Sequence, residues 1–166
     1  MGKLFYVIGK SATGKDTIFQ KLLENESLAL KPLVLYTTRP MRAGEEQGVQ
    51  YHFTDEAGLT ELQNAGKVIE LRAYDTVHGV WKYFTADTEA TDLGKYNYVG
   101  VGVLESYRAL RNYYGAERVI PIYIEVEDGE RLQRALDRER GQQEPKYAEL
   151  CRRFLHHPWP LPEPCP

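Results

Sequence analysis

The sequence predicts an α/β fold, a parallel core sheet between layers of helices with a P-loop at one strand end. Three observations carry this. A short apolar run, Leu4-Phe5-Tyr6-Val7-Ile8, stops at a glycine-rich loop that opens a helix. Further apolar runs alternate with stretches of helical spacing. The 166 residues, 42% of them hydrophobic, are enough for one compact domain burying roughly 70% of its unfolded surface.

The elements follow in order. Leu4 to Ile8 reads as a central parallel strand, apolar on both faces. Lys15 to about Asn25 has helical spacing, with Ile18, Phe19 and Leu22 facing inward. Leu33-Val34-Leu35-Tyr36 reads as a second strand, entered after Pro32. From Thr37 to about Ala90 the pattern shortens: β-like pieces at Val49–Phe53, Val68–Tyr74 and Val77–Phe84, with a helix at Asp55–Gly66, suggest an inserted α+β lobe. Asn97 to Val103 resumes the buried strands, and Glu105–Tyr113 follows as a helix. Val119 to Val126 is another strand, whose Pro121 requires an edge or a bulge. Asp128 is the expected cap of a charged helix, Gly129 to about Arg140, and a polar break separates that from a short helix at Lys146–Leu155.

The expected organisation is one domain over 1–155, with a core at 1–36 and 94–127, a lobe at 37–90 and a small helical lid at about 128–150. Residues 156–166 differ. Five of the nine prolines fall there, at 158, 160, 162, 164 and 166, which excludes helix and inner strand and suggests an extended or disordered tail.

A formal net charge of −3 argues against a general nucleic-acid binder. No apolar run is long enough to span a membrane. Cys151 and Cys165 are too few for a disulfide framework or a zinc spacing, so a cytoplasmic setting is expected. The sequence sets no oligomeric state.

Gly9-Lys10-Ser11-Ala12-Thr13-Gly14-Lys15 lies between strand and helix, the context a phosphate-binding loop demands. Glycines at both ends let the backbone curl so that its N–H groups share one anion, to which the helix adds its positive end. Lys15 supplies a mobile charge for the β- and γ-phosphates of a nucleoside triphosphate. Where a Ser or Thr usually follows the lysine stands Asp16, with Thr17 next; both are candidate ligands for Mg²⁺, and the pattern leaves open which serves.

After the second strand comes Thr37-Thr38-Arg39-Pro40-Met41-Arg42-Ala43-Gly44-Glu45, then Gly48 and Tyr51-His52-Phe53. Two arginines three apart beside a turn make a phosphate clamp, or equally a solvated surface. The combination of P-loop, TTR-x-x-R-x-GE and G-x-x-YHF resembles the guanylate kinase family over about Leu4 to Phe154. The resemblance implies ATP and GMP as substrates, Mg²⁺ with the ATP, and an inserted lobe that binds the nucleoside monophosphate. It implies that Arg39, Arg42, Glu45, Tyr51 and Tyr83 surround the GMP phosphate and that Glu70, with Thr85 near it, reads guanine. Gly9 to Thr17 would hold ATP, and Lys15, Arg39, Arg134, Arg138 and Arg153 would neutralise charge during transfer, with Arg131, Arg140 and Arg152 close enough to share that register.

Two departures stand out. Many members of the family carry an Asp-x-Asp pair where this chain has Val101-Gly102-Val103, so either Glu105 and Asp16 replace that function or the metal site is weaker. The proline-rich tail stands where the family continues into a further strand and helix, and reads as an altered end that lowers stability or ATP affinity. Two other readings share the fold: a P-loop kinase of another phosphorylated compound such as a ribose bisphosphate, and a catalytically silent binding module.

Overall fold

A computed structural model describes residues 1–76 and 79–155, with Arg153 described by its backbone alone. The expectation for the tail at 156–166 lies outside the described residues. In chain order the elements are β1 (Leu4–Gly9), α1 (Lys15–Glu24), β2 (Leu30–Pro32), β3 (Tyr36–Thr37), β4 (His52–Phe53), α2 (Glu56–Asn64), β5 (Val68–Thr76), β6 (Gly79–Ala86), β7 (Asn97–Gly102), α3 (Leu104–Tyr114), β8 (Val119–Ile124), α4 (Asp128–Arg140) and α5 (Tyr147–Leu155).

The strands form two sheets. The core sheet has the order β2-β7-β1-β8, with every pairing parallel. β1 is central, and Leu4, Tyr6, Val7 and Ile8 are all buried, which is why it reads as unbroken apolar sequence. Leu33, Leu93, Leu110 and Val119 complete the main core around it. Pro121 lies on β8, an edge strand among the described residues, as its missing N–H requires.

The second sheet has the order β4-β3-β6-β5, with β6 antiparallel to both its neighbours. A smaller core of Leu59, Phe84 and Ala86 lies beneath it, with Tyr36, Leu62 and Val68 packed at its margin. α2 covers this core, its first turn capped by the Asp55 carboxylate, which accepts from the Gly58 N–H at 2.8 Å.

Several expectations need correction. Leu33 to Tyr36 is not one strand. The core sheet takes Leu30–Pro32, the Leu33 N–H still donates to the Val99 carbonyl at 2.8 Å, and the chain then crosses so that Tyr36 pairs with Phe84 in the other sheet. The apolar run is continuous because it feeds two cores in succession. Between Val49 and Phe53 only His52–Phe53 is strand. The Gln47 side chain bonds both the N–H and the carbonyl of Phe53, doing the work of a strand partner. The cap of α4 is Glu127, whose carboxylate accepts from the Glu130 N–H at 3.0 Å; Asp128 is engaged elsewhere. Ile18, Phe19 and Leu22 are half-buried rather than buried, because part of the α1 surface faces a cleft.

Candidate functional site

At the end of β1 the chain passes Gly9 and curls. Ala12 (φ 62°) and Gly14 (φ 83°) both take the left-handed conformation, which turns successive N–H groups toward one side. Buried Thr13 holds the curl by donating its hydroxyl to the Lys10 carbonyl at 2.9 Å. Gly14 caps α1 without a side-chain hydrogen bond, so the first turn offers its N–H groups to an incoming anion. Lys15 and Asp16 begin the helix and line the cleft, which Thr17 does not; Asp16 and Thr17 are both exposed.

α4 braces the loop from behind. The Arg131 guanidinium, 1% exposed, donates from Nε to the Ser11 carbonyl at 3.0 Å and from Nη1 to Asp128. Asp128 also receives the Lys10 ammonium at 3.4 Å, and its carboxyl is held below the usual range, chiefly by the Arg131 bond, which outweighs burial, with the Lys10 charge adding to it. Phe154 of α5 lies against Arg131, 4.6 Å from ring centre to guanidinium carbon. Arg134 comes to the loop too. A methyl group at Gly14 would lie 3.9 Å from its Nη1, and its Nε is paired with Glu130 at 2.9 Å. Arg138 is exposed on the same helix, and the side chain of Arg153 lies outside the described residues. Arg140 pairs with Asp137 and Arg152 with Glu149.

The second sheet faces the loop across a cleft of about 850 Å³. Lys15, Asp16, Val101 and Gly102 line one wall; Glu45, Tyr51, Arg72, Tyr74 and Tyr83 line the other. Arg39 and Arg42 stand one layer back. Arg39, 3% exposed, makes a two-pronged pair with Glu45 (3.0 and 2.7 Å) and bonds the Pro40 carbonyl. Glu45 accepts in addition from the Arg42 N–H at 2.7 Å, while the Arg42 side chain is exposed. The Arg39 bond, and after it the Arg42 N–H, lower the Glu45 pKa; the same bond raises that of Arg39. The rings of Tyr51 and Phe53 each lie 5.5 Å from the Arg39 guanidinium carbon.

Cross-strand register places the remaining groups, with Glu70 opposite Thr85 and Arg72 opposite Tyr83. Glu70 is nearly buried. It accepts from the hydroxyls of Thr85 at 2.8 Å and Ser106 at 3.2 Å and from Arg72 Nε at 3.1 Å. The expected set of Arg39, Glu45, Tyr51, Glu70, Tyr83 and Thr85 therefore gathers in one lobe, with Arg42 at its exposed rim.

The missing Asp-x-Asp pair has a steric counterpart. Tyr6 reaches from β1 under β7: a methyl group at Gly100 would sit 2.8 Å from its ring, and one at Gly102 2.2 Å from its hydroxyl. That hydroxyl is buried, and burial, followed by the Glu70 charge, pushes its pKa up to about 12. Glu105 is exposed in the first turn of α3 and does not line the cleft, which leaves Asp16 as the acid beside Lys15. Among the described residues no three metal-binding side chains cluster.

Arg72, Ser106 and the bracing role of Arg131 were not anticipated from sequence. Arg72 had a signal, since Glu70, Arg72 and Tyr74 alternate along one face of the expected strand. Ser106 and Arg131 meet their partners across 36 and 120 residues, beyond any local pattern.

Comparison with known proteins points to one family. A family model described as guanylate kinase matches residues 1–153. A guanylate kinase of Methylobacillus flagellatus is 32% identical over 127 residues, 75% of this chain and 56% of that protein. One of Vibrio cholerae is 41% identical over 70 residues, 42% of this chain and 34% of its own length. This chain thus spans about half, or less, of the length of these relatives. The crystal structure of guanylate kinase from Anaplasma phagocytophilum aligns with a TM-score of 0.52 at 24% identity, covering 74% of this chain and 58% of that one, a likeness of fold. No helix among the described residues is long and apolar enough to cross a membrane.

Proposed function

The chain belongs to the guanylate kinase family, and on that premise we propose that it transfers the γ-phosphoryl group of ATP to GMP, giving ADP and GDP. The observation that carries the reading is the cleft itself, with Lys15 on one wall and Tyr51 and Tyr83 on the other. A donor triphosphate at the curled loop and an acceptor phosphate in the lobe would then share one enclosed space.

In the proposed step an oxygen of the GMP phosphate attacks the γ-phosphorus, and the bond from that phosphorus to the β-bridging oxygen breaks. The transfer needs no protein nucleophile. Catalysis is positioning and charge neutralisation. The loop N–H groups and Lys15 would hold the donor, and Arg134, whose side chain comes near Gly14, would meet its outer phosphates. Glu70 suits guanine because a carboxylate accepts from N1–H and the exocyclic amine together, whereas adenine offers no such pair. Thr85 and Ser106 fix that carboxylate from behind. Arg39 acts from the second layer, holding Glu45 and backing Tyr51.

Mg²⁺ is part of the proposal. It keeps several waters and needs only one or two carboxylates besides the phosphates, so Asp16, a carboxylate lining the cleft, fits as its protein ligand better than Thr17, which does not line it. When bound, the ion would offset charge on the transferring phosphate. A cytoplasmic setting, where both nucleotides are available, completes the reading.

The deciding experiment is a coupled assay with ATP and Mg²⁺ against a panel of nucleoside monophosphates and a ribose bisphosphate. GMP is expected to be the preferred acceptor. Turnover of the sugar phosphate alone, or none with any acceptor, would overturn the reading.

A further inference from the structure

We propose that Phe154 is a positioning residue for the donor loop and acts on it through Arg131; the inference rests on the kinase reading above and adds a control on its donor site. Among the described residues Arg131 is the largest fully buried side chain, and the transfer step gives it no task. Neither Arg131 nor Phe154 lines the cleft between loop and lobe. A guanidinium is costly to bury unless its donors are matched. Here the match is partial. Nε donates to the Ser11 carbonyl at 3.0 Å and Nη1 to Asp128, whereas Nη2 is buried with no hydrogen-bond partner among the described residues.

What covers the group instead is an aromatic face. The Phe154 ring centre lies 4.6 Å from the guanidinium carbon. A ring this close attracts the cation, and the attraction grows as the pair is desolvated. Phe154 therefore holds the guanidinium in the orientation in which its Nε meets the loop. The loop needs such a hold. Ser11 precedes Ala12, whose φ of 62° is left-handed, a conformation that a Cβ disfavours and that persists only where its surroundings impose it. Thr13 ties the loop internally to the Lys10 carbonyl, and the Lys10 ammonium meets Asp128, the second partner of Arg131. The curl that aims the loop N–H groups is thus fixed from α4, and the seating of α5 sets how firmly. A loop free to relax at Ala12 must be ordered by its ligand, and that ordering lowers affinity. The contacts run through α5, α4 and the loop, so their effect falls on the donor side.

The test is a double-mutant cycle on wild type, Phe154→Leu, Arg131→Met and the double variant. Calorimetry reads the binding of ATP with Mg²⁺ and, separately, of GMP, after each protein is checked by thermal melting. Phe154→Leu is expected to weaken ATP about 3- to 10-fold and to leave GMP unchanged. Phe154→Tyr keeps the ring face and should stay near wild type. Arg131→Met should weaken ATP about 10-fold, and in that background Phe154→Leu should add nothing further. Where Arg131→Met does not fold, Arg131→Lys, which keeps the charge without the fork, takes its place in the cycle; Phe154→Met stands in for the Leu variant in the same way. Unchanged ATP affinity in Phe154→Leu would overturn the proposal, as would absence of ATP binding to wild type. So would additive losses in the double variant, since Phe154 would then act apart from Arg131, or an equal loss for GMP, the sign of general loosening. ATP binding that obeys the cycle without GDP formation would sink the kinase reading and leave this inference standing.

Discussion

The two walls of the cleft hold charge in opposite ways. On the donor wall the ligand groups are backbone N–H groups and one lysine, set by a loop of seven contiguous residues and braced from behind by Arg131. On the acceptor wall they are side chains from separate strands, most of them already paired: Arg39 with Glu45, Arg72 with Glu70. The donor wall presents positive potential at once. On the acceptor wall Arg39 and Glu45 form a closed pair, whereas Arg72 is held to Glu70 through Nε. On the proposed reading this difference suits the order of charge, since a triphosphate would need a strong fixed host, whereas a monophosphate would be selected by its base as well as its charge.

The largest expected effect lies on the donor wall. Lys15→Met should reduce phosphoryl transfer by about 10³-fold or more with the melting temperature nearly unchanged, as measured by coupled assay and calorimetry. Comparable activity in the variant would break the contrast, because the loop alone would then suffice. Arg131→Met is next. It removes the bond to the Ser11 carbonyl and should cost about 1–3 kcal/mol in urea unfolding, with only a small part from exposed Asp128. An unaltered stability would mean that the loop holds its curl without α4.

On the acceptor wall, Glu70→Gln should cut the preference for GMP over AMP by about 10-fold, read as a ratio of kcat/KM values. It should leave ATP affinity alone; a change in both would join the two walls into one unit. Tyr6→Phe removes a hydroxyl whose burial is costly and which crowds Gly102, so it should stabilise the protein by about 1 kcal/mol. A loss of stability instead would reveal a partner for that hydroxyl.

The smallest effect is a pH dependence. Glu45, Glu127 and Asp128 all have folded pKa values below their ordinary range, so the unfolded chain binds more protons at mildly acid pH. Their contribution is complete above the normal carboxylate range and is lost as pH falls through the depressed values. Denaturation midpoints measured downward from neutral pH should therefore decline, and Glu45→Gln should flatten the curve slightly.

What could be read from sequence tracks how local each cause is. Gly9 to Lys15 was legible because loop, strand end and helix start are consecutive, and a phosphate nest needs only backbone geometry in that order. The lobe's aromatic and arginine motif was legible as a resemblance, and Pro121 announced its edge strand by lacking a donor. The split of the run Leu33 to Tyr36 between two sheets was not legible, since burial in either core demands the same apolar residues.

By itself the sequence determined most of the order of elements and the glycine-rich loop between the first strand and helix, because propensity, periodicity and motif spacing act over a few residues. Tertiary structure alone decided which cation faces the cleft. Arg39 and Arg72 are equally charged as letters; one is turned inward against Glu45 and the other is stayed at the surface by Glu70, Thr85 and Ser106. Such choices depend on which carboxylate lies within hydrogen-bond reach, and that distance is set by strand register and by helices far along the chain.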